Sequence, residues 1–415
     1  MALGLAALAG VAVGEPREAA AAQTDYVRGE AGFAAAAARF RWSGGTIVLL
    51  RARYDSLYIG PRGTARLTVR AARGASVGNV RIDRARSVRL VGLRLTPRGA
   101  KAGIETDRAR NVRLERISVN GGRSGFKANV LLFDSSRVTI VRSRFTRCGD
   151  KAVCILTGKS SRVRILRSRF HDCYGCDFIR GNFGRSLVIR ENRFDRSLVG
   201  PCGKNRKRCN HQEMIELHRG SRLFIERNRF GVFETPGAGQ VALFGAVNDV
   251  RIRNNLFLRT DRRAPGLVAR VGVNLGGLGR YPKRVVISHN TILSGRRHCR
   301  GFTNSIRIGP NLAFLRLADR PVIANNVMWV ARTPRFFCRG ARITAGNVIE
   351  RGQGCSAQDI VGPANLNAAG RPTAASVNVI GRAVQRWATT RDMRRVRRDA
   401  SPDAGAFEYV APAGR

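Results

Sequence analysis

The chain has 415 residues, 43% hydrophobic and 25% charged, so it can bury a large core and its composition excludes a disordered protein. Its net charge is +47, because 75 Lys and Arg stand against 28 Asp and Glu. Such a charge indicates a polyanionic partner, namely nucleic acid, anionic lipid or acidic polysaccharide. Only seven of the basic residues are lysines, so an arginine-rich coding bias is an alternative explanation that stays open.

The first 22 residues are similar to a secretory signal peptide. An apolar run from Ala2 to Gly14 is followed by a stretch of small residues, 19–22, although no positive charge precedes the run. No later stretch reaches the ~18 apolar residues that a membrane-spanning helix needs. We therefore expect a secreted monomer, or one associated with the cell envelope, with no transmembrane segment after residues 1–22 are removed.

A repeat of about 25 residues is the strongest pattern in the chain. Each copy alternates apolar and polar residues like a half-buried strand and then turns at an Asn or Ser, as in "VRILRSRF" (163–170) and "LFIERNRF" (223–230). Weaker copies start at Val88, Val112 and Pro321, and a second strand-like run follows within the repeat. Units this short cannot close separate cores, so they must stack. The sequence thus predicts an all-β parallel β-helix, a solenoid, over residues 30–350.

Equivalent positions of the repeat carry asparagines whose stacked amides are expected to hydrogen-bond from coil to coil. These residues are Asn192, Asn228, Asn255, Asn290 and Asn326. Their expected role is structural.

The nine cysteines suggest disulfides, which fit an exported protein. Cys148 and Cys173 each lie ten residues after a repeat start, so they should lie in adjacent coils ~4.8 Å apart, within disulfide reach. The motif "CYGC" (173–176) has no matching second pair, so no zinc site is expected. The pairs expected are Cys148 with Cys173, Cys154 with Cys176, Cys202 with Cys209, and Cys299 with Cys338, leaving Cys355 unpaired.

Beyond the repeat, the chain resembles secreted right-handed parallel β-helix proteins of the pectate-lyase-like superfamily over roughly residues 30–410. "GGTIVLLRARYDSLYI" (44–59) resembles that family's first coil, and the preceding "FAAAAARF" resembles its N-terminal capping helix. "SPDAGAFEYV" (401–410) resembles its tail, so residues 351–415 are expected to be a C-terminal coil and tail packed on the solenoid. The resemblance implies a fold and no single activity, since the superfamily includes lyases, epimerases, hydrolases and non-catalytic binders.

The repeat spacing grows after Leu187, from 24–26 residues to 27–36. The extra residues must leave the coils as loops, which contain "DRSLVGPCGKNRKRCNHQE", "TDRRAPGLVAR" and "SGRRHCRGFTN". If these loops leave from corresponding corners, they form a wall beside one sheet and thus a groove for a polymer.

The segment "NHQEMIELHRG" (210–220) ends the first loop and re-enters the coil. It is similar to an H-x-D-x-I-Q-L run of related β-helix proteins, with Glu213 in place of Asp and Glu216 in place of Gln. Strand alternation points Ile215 and Leu217 inward and Glu216 and His218 outward. The candidate substrate-binding residues are Lys204, Arg208, Glu216, His218, Asp177 and His171.

This residue set suits the chemistry of uronate sugars. A base removes the proton on the carbon beside the uronate carboxylate. That proton is acidic enough only when the charge of the carboxylate is neutralised. We assign His211 as the base, Arg180 or Lys204 as the neutralising cation, and Glu213 as the group that orients His211. Asp177 and Glu213 are the candidate ligands of a possible Ca²⁺ ion.

The sequence therefore favours an acidic polysaccharide lyase or C5 epimerase. The alternatives are a non-catalytic polysaccharide-binding or scaffold protein and, less favoured, a glycoside hydrolase that uses Asp177 with Glu213 or Glu216. In a purely structural interpretation, the two glutamates only pair with arginines. Specific nucleic acid binding is disfavoured, because arginine is spread over all coils with few exposed aromatic residues.

Overall fold

The computed structural model describes residues 23–97, 102–121, 127–148, 152–198, 213–231, 239–258, 271–276, 281–293, 306–328, 338, 340–350 and 352–411. These residues form one α-helix, α1 (Gly29–Ser43), and 31 strands that pair in parallel. Each lap of the chain adds strands to three ladders, which we number 1 to 3 in chain order. The described 3₁₀ helices are Pro310–Phe314, Leu317–Asp319 and Gln385–Trp387.

Ladder 1 consists of β3 (Arg53–Ile59), β5 (Ser76–Asp83), β8 (Ala102–Asp107), β11 (Ala128–Phe133), β14 (Val153–Ser160), β17 (Asp177–Arg190), β19 (Ile215–Glu226), β21 (Gly239–Arg253), β23 (Val271–Gly276) and β26 (Ile306–Ile308). Ladder 2 consists of the second halves of β17, β19 and β21 with β1 (Thr24–Val27), β2 (Gly45–Leu49), β4 (Leu67–Ala71), β6 (Arg86–Val91), β9 (Arg110–Glu115), β12 (Ser136–Val141), β15 (Val163–Leu166), β24 (Lys283–Ser288), β27 (Val322–Ala324) and β29 (Ile343–Ala345). Ladder 3 consists of β7 (Arg94–Leu95), β10 (Ser118–Asn120), β13 (Arg144–Thr146), β16 (Arg169–Tyr174), β18 (Arg193–Leu198), β20 (Arg229–Phe230), β22 (Leu256–Phe257), β25 (Thr291–Ile292), β28 (Val327–Met328), β30 (Val348–Ile349) and β31 (Ile360–Val361).

The predicted repeat is the structural repeat. Val163, Leu187, Leu223, Val250 and Val285, which all start copies of the pattern, pair one with the next along ladder 2. The parallel β-helix expected from the sequence is therefore confirmed, while its handedness stays a prediction.

The interior is one continuous apolar column. Its most regular part is a stack of five phenylalanines, one per coil, with ring centroids 4.6–5.0 Å apart. They are Phe145, Phe170, Phe194, Phe230 and Phe257, each 0% exposed. At the N-terminal end, α1 buries Phe33, Ala36 and Phe40 in the same core cluster, so the expected capping helix is present.

The asparagine ladder forms as predicted. In each step, the side-chain oxygen of one Asn accepts from the backbone N–H and the Nδ2 of the Asn one coil earlier, as Asn255 does from Asn228 at 2.9 and 3.0 Å. The ladder extends beyond the predicted members to Asn347, which donates to Asp359. At its other end, Ser143 and Ser168 supply hydroxyl acceptors instead. All of these amides are buried, so the ladder satisfies turn backbone that water cannot reach.

The disulfide pairing differs from the prediction. The structure joins Cys148 with Cys154, Cys173 with Cys176, and Cys338 with Cys355. The expected pairs Cys148–Cys173, Cys154–Cys176 and Cys299–Cys338 are therefore wrong, and Cys355 is bonded.

Strand register explains the difference for two of these pairs. Val153 pairs with Asp177, so Cys154 lies beside Phe178 rather than Cys176. Cys148 does lie one coil from Cys173, but its bonded partner across the corner of its own coil is close, with Cα atoms 5.1 Å apart. Cys202, Cys209 and Cys299 lie outside the described residues.

The three long connections leave from corresponding corners. Residues 199–212, 259–270 and 294–305 each follow a strand of ladder 3 and precede a strand of ladder 1. These connections, like residues 1–22, lie outside the described residues, so the groove beside ladder 1 stays a prediction. No helix in the described part of the chain is long and apolar enough to span a membrane.

The C-terminal segment, 352–411, contacts the corner between ladders 2 and 3. Asn325 accepts from the backbone N–H of Val384 and donates to its carbonyl, at 2.7 and 3.0 Å. Glu191 lies several coils before Asn325, and Arg395 of the same segment donates to both of its carboxylate oxygens. The segment therefore joins coils that are distant in sequence.

A buried histidine lies under this segment. His289 is 0% exposed, and its Nε2 lies 3.1 Å from the side-chain nitrogen of Asn325. Burial and then the positive charge of Arg398 lower the pKa of His289 well below its usual value. The imidazole is therefore neutral in the folded protein.

We expect His289 to destabilise the folded protein increasingly as the pH falls below about 6.5, because an unfolded histidine takes up a proton that folded His289 does not. The free energy of unfolding should fall by up to about 1.4 kcal/mol per pH unit from this group. His289→Asn should remove that part of the slope, because Asn occupies the equivalent positive-φ turn position at residues 254 and 325. Denaturant titrations of both proteins from about pH 7.5 to 5.5 test this; parallel pH profiles would contradict it.

Candidate functional site

The candidate site lies at the beginning of β17 and β19, which are neighbours in ladder 1. Ile179 pairs with Ile215 in the core, and Asp177 and Glu213 each precede these isoleucines by two residues. The two carboxylates therefore occupy equivalent positions in successive coils. One residue after the isoleucines, Arg180 pairs directly with Glu216.

Three carboxylates meet here. Asp177, Glu213 and Glu216 place one oxygen each within 4.8 Å of the others, and we call them the acidic cluster. All three are buried, although Ile215 and Leu217 are the residues that enter the core, as alternation predicts. The backbone N–H of Glu213 donates to Asp177 Oδ1 at 2.8 Å, which joins the two coils at the cluster.

Two basic side chains border the acidic cluster. Arg180 lies 3.5 Å from Asp177 through Nη1 and 3.4 Å from Glu216 through Nε, and its side chain is 47% exposed. His218 Nε2 lies 2.7 Å from Glu216 Oε1, and its ring packs 5.8 Å from that of Phe244. The partly exposed nitrogen atoms of Arg180 and His218 therefore lie beside the buried carboxylates of the acidic cluster.

Burial and mutual repulsion raise the pKa values of two of the acids. Desolvation, followed by the charge of Glu216, raises the pKa of Asp177 to about 8. Desolvation, followed by the charges of Glu216 and Asp177, raises the pKa of Glu213 to about 9. Arg180 opposes both shifts without overcoming them. The fully ionised cluster is therefore unfavourable unless another positive charge is present.

The donor set fits a metal ion. Three carboxylates at this separation offer only hard oxygen ligands, which divalent cations such as Ca²⁺ and Mg²⁺ prefer. Fully ionised, the cluster carries three negative charges and Arg180 one positive charge. The remaining two negative charges match one divalent cation.

The structure brings together only part of the predicted site. Asp177, Arg180, Glu213, Glu216 and His218 form one group, as described above. His171 lies instead on ladder 3, where it accepts from Arg144 at 2.8 Å and contacts Asp172. His211, Lys204 and Arg208 lie outside the described residues.

Sequence analysis missed Glu216 as a possible third metal ligand. Its outward direction was expected, but the contact with Asp177 and Glu213 depends on how β17 and β19 are aligned. The signal was the spacing: Asp177 and Arg180 are three residues apart, as are Glu213 and Glu216. Alignment of the two segments through Ile179 and Ile215 would have placed all four residues in neighbouring positions.

Comparison with known proteins finds similar folds at low sequence identity. No protein-family model and no curated protein matches the chain. Among solved structures, PfbA, a surface adhesin of Streptococcus pneumoniae, is 14% identical with a TM-score of 0.47, covering 70% of this chain and 81% of its own. The alginate lyase from Paenibacillus sp. str. FPU-7 is 15% identical with a TM-score of 0.44, covering 68% and 98%. Pectate lyase Pel9A is 14% identical with a TM-score of 0.46, covering 94% and 97%.

These likenesses concern the fold and assign no activity. The strand pairing itself establishes a parallel β-helix, the fold expected from the resemblance to pectate-lyase-like proteins. The disulfides of this protein are compatible with an extracellular location.

Proposed function

We propose that the protein is a secreted enzyme that acts on the uronate residues of an acidic polysaccharide by β-elimination or C5 epimerisation, with Ca²⁺ held by the acidic cluster. The observation that carries the proposal is the cluster itself: three buried carboxylates within 4.8 Å, bordered by a half-exposed arginine. Both reactions start with removal of the proton beside a carboxylate, which requires concentrated positive charge at that carboxylate.

Asp177, Glu213 and Glu216 would hold the ion, which when bound supplies positive charge toward the sugar carboxylate. Arg180 would then complete the neutralisation, because its side chain reaches solvent while its Nε and Nη1 remain beside the cluster. Glu216 orients the ring of His218, which borders the same site. His211 remains our assignment for the base, two residues before Glu213 in the sequence.

The geometry does not favour a glycoside hydrolase. Such enzymes place two carboxyl groups on either side of a sugar, about 5–5.5 Å or 6.5–9.5 Å apart. The three carboxylates of the acidic cluster are instead buried together, so they do not lie on either side of a space that a sugar ring could enter. Non-catalytic binding is the remaining alternative, and the activity assay distinguishes it.

The test is incubation of the purified protein with alginate, polygalacturonate and glycosaminoglycans, with Ca²⁺ or with a chelator. A lyase produces the ultraviolet absorbance of unsaturated uronates. An epimerase incorporates solvent deuterium at C5 without shortening the polymer. His211→Ala should abolish either activity, and unchanged turnover would contradict the base assignment. Polymer binding without any product on every substrate would refute the enzymatic proposal.

A further inference from the structure

Exposed arginines form two columns along the corner between ladders 2 and 3. The repeat "R-x-R-F" places one arginine on each side of the stacked Ser or Asn, and strand register aligns those of successive coils, such as Arg144 with Arg169 and Arg193 with Arg229. The first column occupies the positive-φ turn, as at Arg142 and Arg167. We call six of these residues the arginine strip: Arg142, Arg144, Arg167, Arg169 and Arg193, which are exposed, and Arg229, which is half-buried.

Carboxylates neutralise the strip only in part. Glu191 accepts from Arg167 but also from Arg227 and Arg395. Asp195 contacts both Arg169 and Arg193. Within the described residues, Arg142 and Arg229 have no ionic partner. The strip therefore keeps a net positive charge at coil spacings of ~4.8 Å, where like charges repel.

The C-terminal segment adds to this charge. Arg395, docked on Glu191, belongs to a run in which Arg391, Arg394 and Arg397 are also exposed. A segment that packs on a basic surface would lower repulsion by presenting acidic side chains. This one presents arginines, so the corner gains positive charge where the segment docks.

We propose that the arginine strip binds an acidic polysaccharide chain that runs parallel to the solenoid axis, at a site separate from the acidic cluster. Guanidinium groups in a row pair well with carboxylates or sulfates, because each offers a planar fork of donors. The cluster lies where the strands of ladder 1 begin, whereas the strip lies at the corner between ladders 2 and 3. Binding at the strip would hold the polymer and raise its effective concentration at the cluster. Polymer binding at the arginine strip does not depend on whether the acidic cluster is catalytic.

Two features favour a polysaccharide over nucleic acid. Duplex DNA carries one charge per ~1.7 Å of axis, denser than the one charge per ~2.4 Å that an arginine pair per ~4.8 Å coil supplies. Single-stranded nucleic acids need aromatic platforms for their bases. The phenylalanines of these repeats, such as Phe170 and Phe194, are fully buried and cannot serve.

The test replaces three strip arginines and compares a matched control. The strip variant is Arg142→Gln with Arg169→Gln and Arg229→Gln. The control removes the same charge from ladder 2 with Arg86→Gln, Arg110→Gln and Arg164→Gln, all exposed and without a described ion pair. Affinity for polygalacturonate, alginate and a DNA duplex is measured at two salt concentrations.

We expect the strip variant to bind the polysaccharides about tenfold more weakly, with a shallower salt dependence, and the control to change by less than about twofold. Equal losses in both variants would show that only net charge matters and would overturn the proposal. Tighter, strip-dependent binding of DNA would overturn the choice of partner. The strip variant should keep the rise in melting temperature that Ca²⁺ is expected to produce through the acidic cluster, so failure of the proposed enzymatic function and failure of the strip remain distinguishable.

Discussion

Glu216→Gln should remove the response of the protein to calcium and lower its turnover by about 100-fold or more. Glutamine keeps the size of the side chain and a carbonyl ligand, but it removes one of the three charges that would hold the ion. We therefore expect Ca²⁺ to raise the melting temperature of the wild-type protein and to leave that of the variant unchanged. Thermal melts with Ca²⁺ and with a chelator, together with the uronate assay, measure both effects.

Without calcium and above about pH 9, the same substitution should stabilise the protein. The charge of Glu216 contributes to the pKa values of about 8 and 9 at Asp177 and Glu213, so its removal relieves repulsion in a buried site once those two acids ionise. Arg180 keeps its contact with Asp177, and its side chain also reaches solvent. A variant that is more stable in chelator but inactive cannot be explained by misfolding. A fully active Glu216→Gln protein would contradict the role assigned to the acidic cluster.

Glu226→Gln is the matched control. Glu226 is also buried, but it lies in the second half of β19, which belongs to ladder 2. There it forms ion pairs with Arg190 and Arg253. Its charge is balanced by two arginines rather than opposed by two acids, so its removal should lower stability. The calcium response and the activity should survive in this control. Loss of the calcium response in both variants would mean that general damage to β19, and not the cluster, is responsible.

The solenoid could be predicted from the sequence because its determinants are local and repeated. Each copy carries its own apolar alternation and its own Asn or Ser at the turn, so the register of Leu187 on Leu223 follows from alignment of the copies. The long connections do not disturb this register, because the strands on either side of them stay paired with those of the neighbouring coils. The fold thus depends on patterns that one sequence displays several times.

The site and the disulfides were less predictable, because they depend on contacts at the corners. Cys148 has one neighbour along the axis and another across its own corner, and sequence spacing does not rank them. Glu216 illustrates the same limit: alternation gives its direction, but its burial depends on side chains from the adjacent coil. His289 matches the repeat as a turn residue, and only the docking of a segment about 100 residues later in the sequence makes it fully buried.

Asn228→Ala should lower the free energy of unfolding by about 3 kcal/mol or more, since each buried polar group left without a partner costs about 1–3 kcal/mol. Asn228 Oδ1 accepts from both the backbone N–H and the Nδ2 of Asn192, and its own Nδ2 donates to Ile189 at 2.8 Å. Alanine leaves these groups unpaired in a site that is 0% exposed. Urea titration monitored by circular dichroism gives the difference in stability.

Serine at position 228 provides the graded comparison. Ser168 occupies the equivalent ladder position two coils earlier, where its hydroxyl accepts from the backbone N–H of Ser143 at 3.1 Å. Asn228→Ser should therefore rescue the backbone N–H of Asn192 and recover about half of the alanine loss. If serine and alanine destabilise the protein equally, accepting a hydrogen bond from the backbone N–H of Asn192 is not what stabilises the fold at this position. In that case the amide-to-amide contacts along the axis must carry the stability, and Asn255→Ser should then cost as much as Asn228→Ser.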